Sequence, residues 1–240
     1  MPHDEAVDAF NSYPGNLPRE LDAEKARRLS ERIELSFGSP PGTCLAGRCG
    51  FGPNTAEIRE DLGFVVEIIP AVPIDFSADG GPDYAGFTSH RFWFGRRRRL
   101  LCLPGTGGCV GELRPDGTPL YGRVTSALTN WSRRAGVIAR LRLLECIRLS
   151  PEEYDKVVEM QRPTTALPED GVRVFVFSFH PPSVMPSGTP CVRRAAELER
   201  FLAKCRRCSE HFFGRLNGLT TTPLQIKSLL QAQVLGAAHG

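Results

Sequence analysis

Between Arg19 and Phe37 apolar side chains recur as Ala26, Leu29, Ile33 and Phe37, at spacings of three and four. This period predicts an amphipathic helix, stopped by Gly38 and Pro40. Asn54 with Glu57 three residues on has the pattern of a capping box and opens a short helix that Gly63 ends. Residues 64–72, rich in β-branched side chains, predict a strand, and residues 100–103 a shorter one. Ile138, Leu141, Leu144 and Ile147 lie at helical spacing and predict a helix from about Arg134. Ser150, Pro151 and Glu153 supply an N-cap, a proline at N1 and an acid in the first turn of another. Residues 172–179 (VRVFVFSF) are apolar on both alternating faces except for Arg173 and Ser178, as expected of a parallel strand buried on two sides. Residues 197–213 predict a long helix with Leu198, Phe201, Leu202, Cys205 and Phe212 on its stripe, and Thr222-Pro223 caps a last one. Helices alternating with strands predict a mainly parallel α/β architecture. Two long loops are expected within it, at 73–99 and 104–133.

Composition narrows the class. The 240 residues are 41% hydrophobic, 24% charged and 8% aromatic, which sets aside collagen-like, disordered and coiled-coil chains. Twenty prolines and 24 glycines argue against an all-helical bundle. A net charge of +3 is too near neutral to argue for nucleic acid. The acidic first ten residues hold no apolar segment of the signal-peptide kind, and no apolar run approaches the roughly 18 residues a membrane span needs. Eight cysteines without an export signal predict reduced thiols and a cytoplasmic location.

Few residues stand out for chemistry. His180 directly follows the apolar run 172–179, and reacting groups of α/β proteins gather at the carboxyl ends of strands. An imidazole there can donate a proton near neutral pH. Cys205 and Cys208 form a CxxC pair, but a structural zinc site needs two such pairs, and this one lies well inside a helix, where packing explains it. The four arginines at 96–99, beside Trp93 and Phe94, are a basic–aromatic mixture of the kind that binds nucleic acid; a solvated loop explains them as well. The glycine-rich stretch 105–111 lacks the Gly-Lys-Ser/Thr ending of a phosphate loop and reads as a turn. Asp75, Asp79 and Asp83 are near one another in turn-forming sequence.

Four stretches taken together carry a resemblance: residues 11–18 (NSYPGNLP), 46–54 (AGRCGFGPN), 75–83 (DFSADGGPD), and 177–183 (FSFHPPS) continuing to 189–193 (TPCVR). In this order, and over residues 5–230, the chain resembles the polysaccharide deacetylase family with NodB homology, in its WalW-like bacterial branch. The resemblance implies an incomplete or deformed (β/α) barrel, with residues 1–240 as a single partial domain. It also implies a metal-dependent hydrolase that removes acetyl groups from N-acetylated sugars, so the expected partner is an acetylated oligo- or polysaccharide. In the family a divalent metal, usually zinc, polarises the amide and lowers the pKa of bound water, an aspartate activates that water, and a late histidine protonates the departing amine. His180 matches that histidine, and Asp75 the acid that steers it through its second ring nitrogen. Arg48 and Trp93 are the expected substrate contacts.

The chain also departs from the pattern. The family's Asp-Asp pair and its histidine-rich metal segment have no counterpart, and His3 alone cannot replace them. The basic residue of the third motif falls on Leu45, with Arg48 nearby, and Cys49 and Cys191 stand where tyrosine is usual. The expectation is a C-terminal portion of such a protein, weak or inactive alone and not itself holding the metal. A non-catalytic carbohydrate-binding remnant, with Tyr84, Phe92, Trp93 and Trp131 stacking on sugars, is the rival reading.

Overall fold

The computed structural model describes residues 10–71, 75–84, 87, 89–96, 98–110, 145–151 and 173–237. Helix α1 spans Arg19–Phe37 and ends on Gly38, whose left-handed φ of 76° lets its N–H reach Glu34 O at 2.7 Å. The face it buries differs from the predicted stripe. Asp22 and Ser30 are buried and Ala26 and Ile33 half-buried, whereas Leu29 and Phe37 are 52% and 79% exposed. Charge explains the rotation: α1 packs on α2 (Thr55–Asp61), whose buried Arg59 attracts the Asp22 carboxylate.

The predicted capping box of α2 is not made. Asn54 makes no side-chain cap, the Gly52 N–H donates to Thr55 Oγ1 at 2.9 Å, and Glu57 instead faces Arg19 and Arg96 at 3.6 and 3.5 Å. Two arginines from distant segments outbid the local backbone for that carboxylate.

Four strands follow the order β1-β2-β4-β3: β1 is Thr43–Leu45, β2 Val66–Ala71, β3 Phe92–Phe94 and β4 Leu100–Gly105. The first three in that order are mutually parallel and β3 is antiparallel to β4. Val66 lies between Thr43 and Leu101, and Glu67 between Cys44 and Cys102. Alternation therefore sends Val66, Leu101 and Leu103 to one face, where they pack with Leu230, and Ile69 and Cys102 to the other, where they pack with Tyr84. The register slips between Ile69 and Ala71, at Pro70, opposite Pro104 and Gly105.

Three expectations are corrected here. Strand β3 and a helical turn at Ser77–Asp79 interrupt the predicted loop 73–99, and β4 continues past Leu103 into the predicted loop 104–133. Residues 145–148, placed by periodicity in a helix, form strand β6 (Glu145–Arg148), antiparallel to β5 (Gly107–Val110) with Gly108 opposite Ile147. An available pairing edge overrides a local period. The rest of that predicted helix, the helix expected to start after Ser150, and Trp131 lie outside the described residues, although Ser150 and Pro151 themselves are described.

Residues 173–179 are not a ladder strand. Val176 N–H donates to the Thr106 hydroxyl at 2.8 Å, Thr106 N–H to Val176 O at 3.4 Å and Ser178 N–H to Leu149 O at 3.4 Å. A side-chain hydroxyl thus takes the place of a carbonyl. Val174 and Val176 still pack on the Val66–Leu101 cluster, but Phe177 and Phe179 are each 38% exposed.

Helix α3 (Ala195–Glu210) starts two residues before the predicted position, because the Glu197 carboxylate accepts the N–H groups of Arg193 at 2.7 Å and Arg194 at 3.1 Å. It runs into a π-turn at His211–Arg215. Helix α4 (Pro223–Ala237) begins as predicted, with Gln225 Oε1 accepting from Thr222 N–H at 2.9 Å and Gln225 N–H donating to Thr222 Oγ1 at 3.3 Å. None of these helices is long and apolar enough to cross a membrane.

Candidate functional site

The first three resembling segments are remote in sequence and contiguous in space. Past the carboxyl end of β1, Arg48 and Cys49 are consecutive non-glycine residues in the left-handed region, with φ of 50° and 57°. Such conformations cost energy and persist only where the surroundings enforce them. Here Arg48 donates through Nη1 to Ser12 Oγ and through Nη2 to the Tyr13 hydroxyl at 3.2 Å, and lies 3.8 Å from the Asp79 carboxylate. The Tyr84 hydroxyl donates to Cys49 O at 2.7 Å. Asn16 Nδ2 donates to Gly80 O at 2.5 Å and to Phe10 O at 2.9 Å, and the rings of Tyr13 and Phe76 are 6.3 Å apart. Gly15 and Gly52 pass so closely that a Cβ on Gly15 would stand 2.6 Å from the Phe51 carbonyl carbon. One structure beyond β1 and β2 is the result, at the edge where α/β sheets place their clefts.

Each expected site residue has a definite place. Arg48 is exposed, and its side chain holds these segments together. Asp75 is exposed; its Oδ1 accepts the Ser77 N–H at 2.8 Å and its backbone bridges to Asp83, so the carboxylate caps its own turn. Trp93, on β3, is half-buried against the Val66–Leu101–Leu103 cluster, and Tyr84 is buried at 3% exposure. His180 is exposed and begins the turn Pro181–Val184, its carbonyl accepting the Ser183 N–H at 2.8 Å. The Ser183 and Thr189 hydroxyls are 3.1 Å apart, which ties the two parts of the fourth segment to each other. Beside His180, Phe179 lies edge-on to Phe177 at 5.9 Å and to the buried Phe201 at 5.6 Å.

Arg96 is taken up by α2, with Glu57, Glu60 and Asp61 at 3.5, 3.3 and 2.7 Å. Cys205 is half-buried and Cys208 buried, neither in a disulfide. Among the described residues no three His, Cys, Asp or Glu side chains converge as a metal would require, so they do not fit the divalent ion that the resemblance implies.

One polar cluster escapes sequence reasoning. Arg59 Nε lies 3.4 Å from Glu67 Oε2, with side-chain exposures of only 5% and 2%, and Asp22 is buried alongside. Burial pushes the Glu67 carboxyl up to about 7 and the Cys44 thiol up to about 11. The signal was Glu67 itself, a lone charge in an apolar strand.

No protein-family model, curated protein or solved structure matches this chain.

Proposed function

We propose that the chain contributes the proton-donating part of an N-deacetylase acting on acetylated oligo- or polysaccharides. The observation that carries this is the exposed imidazole of His180, set beyond an extended segment with two exposed phenylalanine rings before it. An imidazolium can pass its proton to the amine nitrogen as the amide C–N bond breaks, so that the sugar leaves as a neutral amine and acetate is released. Flat apolar rings such as Phe177 and Phe179 suit the C–H faces of a pyranose. The joining of segments 11–18, 46–54 and 75–83 supports the same reading, because the resemblance rests on those segments. The described residues do not hold the metal implied by the resemblance, and no step here is routed through it.

Acetate release from an N-acetylated chitooligosaccharide tests the proposal. His180→Ala should lower kcat by about 100-fold or more with KM little changed. Equal kcat in the two proteins overturns the role. A non-catalytic carbohydrate-binding module is the second reading, favoured by the same exposed rings; it is supported if the oligosaccharide binds without acetate release and binds the His180→Ala protein equally well.

A further inference from the structure

Glu67 is the only charged residue of β2, and its neighbours in the ladder are Cys44 on β1 and Cys102 on β4. Facing it from α2 is Arg59, and from α1 comes the buried Asp22, on which the exposed Lys25 also acts. Tyr84 also lies within electrostatic reach. The cysteines and the tyrosine are neutral at ordinary pH, since burial raises all three. Two buried carboxylates are left against one buried guanidinium. The ion pair is itself imperfect: Arg59 Nε and Glu67 Oε2 are buried without a hydrogen-bond partner among the described residues. A surplus negative charge in so dry a place is expensive, and uptake of one proton removes it.

We propose that Asp22, Arg59 and Glu67 form a proton-operated latch, which holds α1 and α2 against the sheet when one of the two carboxyls is protonated and weakens when both ionise. Opposite charges on three elements make the latch, and a hydrogen ion is its ligand. The charge of Asp22 adds to the burial that favours a proton on Glu67. Both are raised in the fold by burial, Glu67 to about 7 from an ordinary 4.5. The stabilisation is therefore complete below about pH 4.5 and is lost as pH rises through about 7, the reverse of an ordinary salt-bridged acid. Release would loosen β1, which leads directly into the Arg48 turn.

Chemical denaturation of the native chain and of Glu67→Gln at about pH 5 and about pH 8 tests the latch. The native unfolding constant should rise between those pH values by on the order of 100-fold more than that of Glu67→Gln. Equal pH dependence in the two proteins overturns it. If Glu67→Gln does not fold, carbon NMR of native protein labelled at its aspartate and glutamate carboxyls decides: a carboxyl titrating near neutrality supports the latch, and titration of every carboxyl below about pH 5.5 removes it.

Discussion

The guanidinium of Arg48 lies 4.4 Å from the centroid of the Tyr13 ring and donates to the hydroxyl of the same residue at 3.2 Å. One side chain thus uses both the π face and the polar tip of the other. With Ser12 and Asp79 also engaged, Arg48 fastens the segment before α1 to the turns after β1 and β2.

Replacing Arg48 separates backbone strain from side-chain contact. Arg48→Ala loses the contacts and keeps the left-handed φ, and should cost about 1–2 kcal/mol. Arg48→Gly loses the same contacts but relieves the strain, so it should be the more stable of the two by about 1 kcal/mol. Urea titration of both variants checks the order. The reverse order would mean that the positive φ stores no strain.

Two glycines of one turn should behave oppositely. A Cβ on Gly52 would stand 2.6 Å from the Gly15 carbonyl carbon, whereas one on Gly47 meets nothing within 4 Å. Gly52→Ala should therefore destabilise by about 2–3 kcal/mol and Gly47→Ala by no more than about 0.5 kcal/mol. Thermal melts of the two proteins distinguish them, and equal midpoints would contradict the close crossing of the two segments.

How far these features were legible depended on the kind of force responsible. Helix α1 showed its ends through Gly38 and its period, but not its buried face, because that face is chosen by Arg59 from another element. The edge strand β1 has only three residues, too few for a periodic signal, and β3 was hidden among aromatics without alternation. Ile147 fitted a helical spacing until β5 offered it a partner. Of the site residues, Arg48 and His180 were visible as residue types in context. The partners of Arg48 were not, since no local pattern encodes that Ser12 and Tyr13 come to lie against a residue 36 and 35 positions later.

Thiol reactivity should follow burial. Cys191 is exposed, while burial pushes Cys44 up to about 11 and Cys102 and Cys208 up to about 12. Only thiolates react at a useful rate. Iodoacetamide at about pH 7.5, followed by peptide mass spectrometry, should modify Cys191 first and leave those three intact until denaturant is added. Early modification of Cys102 would show that β4 opens readily.

His211 makes an acid-side prediction. Its imidazole is 8% exposed and both ring nitrogens lack a hydrogen-bond partner among the described residues. Desolvation, and then the charge of Arg215, hold its pKa below the usual histidine value. The neutral form is favoured in the fold, so stability falls as pH drops through the unfolded value of about 6.5. His211→Leu removes both the unpaired nitrogens and this titration. Relative to the native chain it should gain more stability at about pH 5 than at about pH 7.5, measured by urea unfolding. A difference independent of pH would count against a buried neutral imidazole.

The register slip in β2 falls on Pro70, and Pro104 of β4 pairs with Ile69 just before it. Neither imino acid can donate to a neighbour, so the interstrand zipper loosens here, with Ala71 opposite Gly105 as its last pair. Insertions or deletions after Ala71 or Gly105 can reshape the rim without shifting the pairing beneath it.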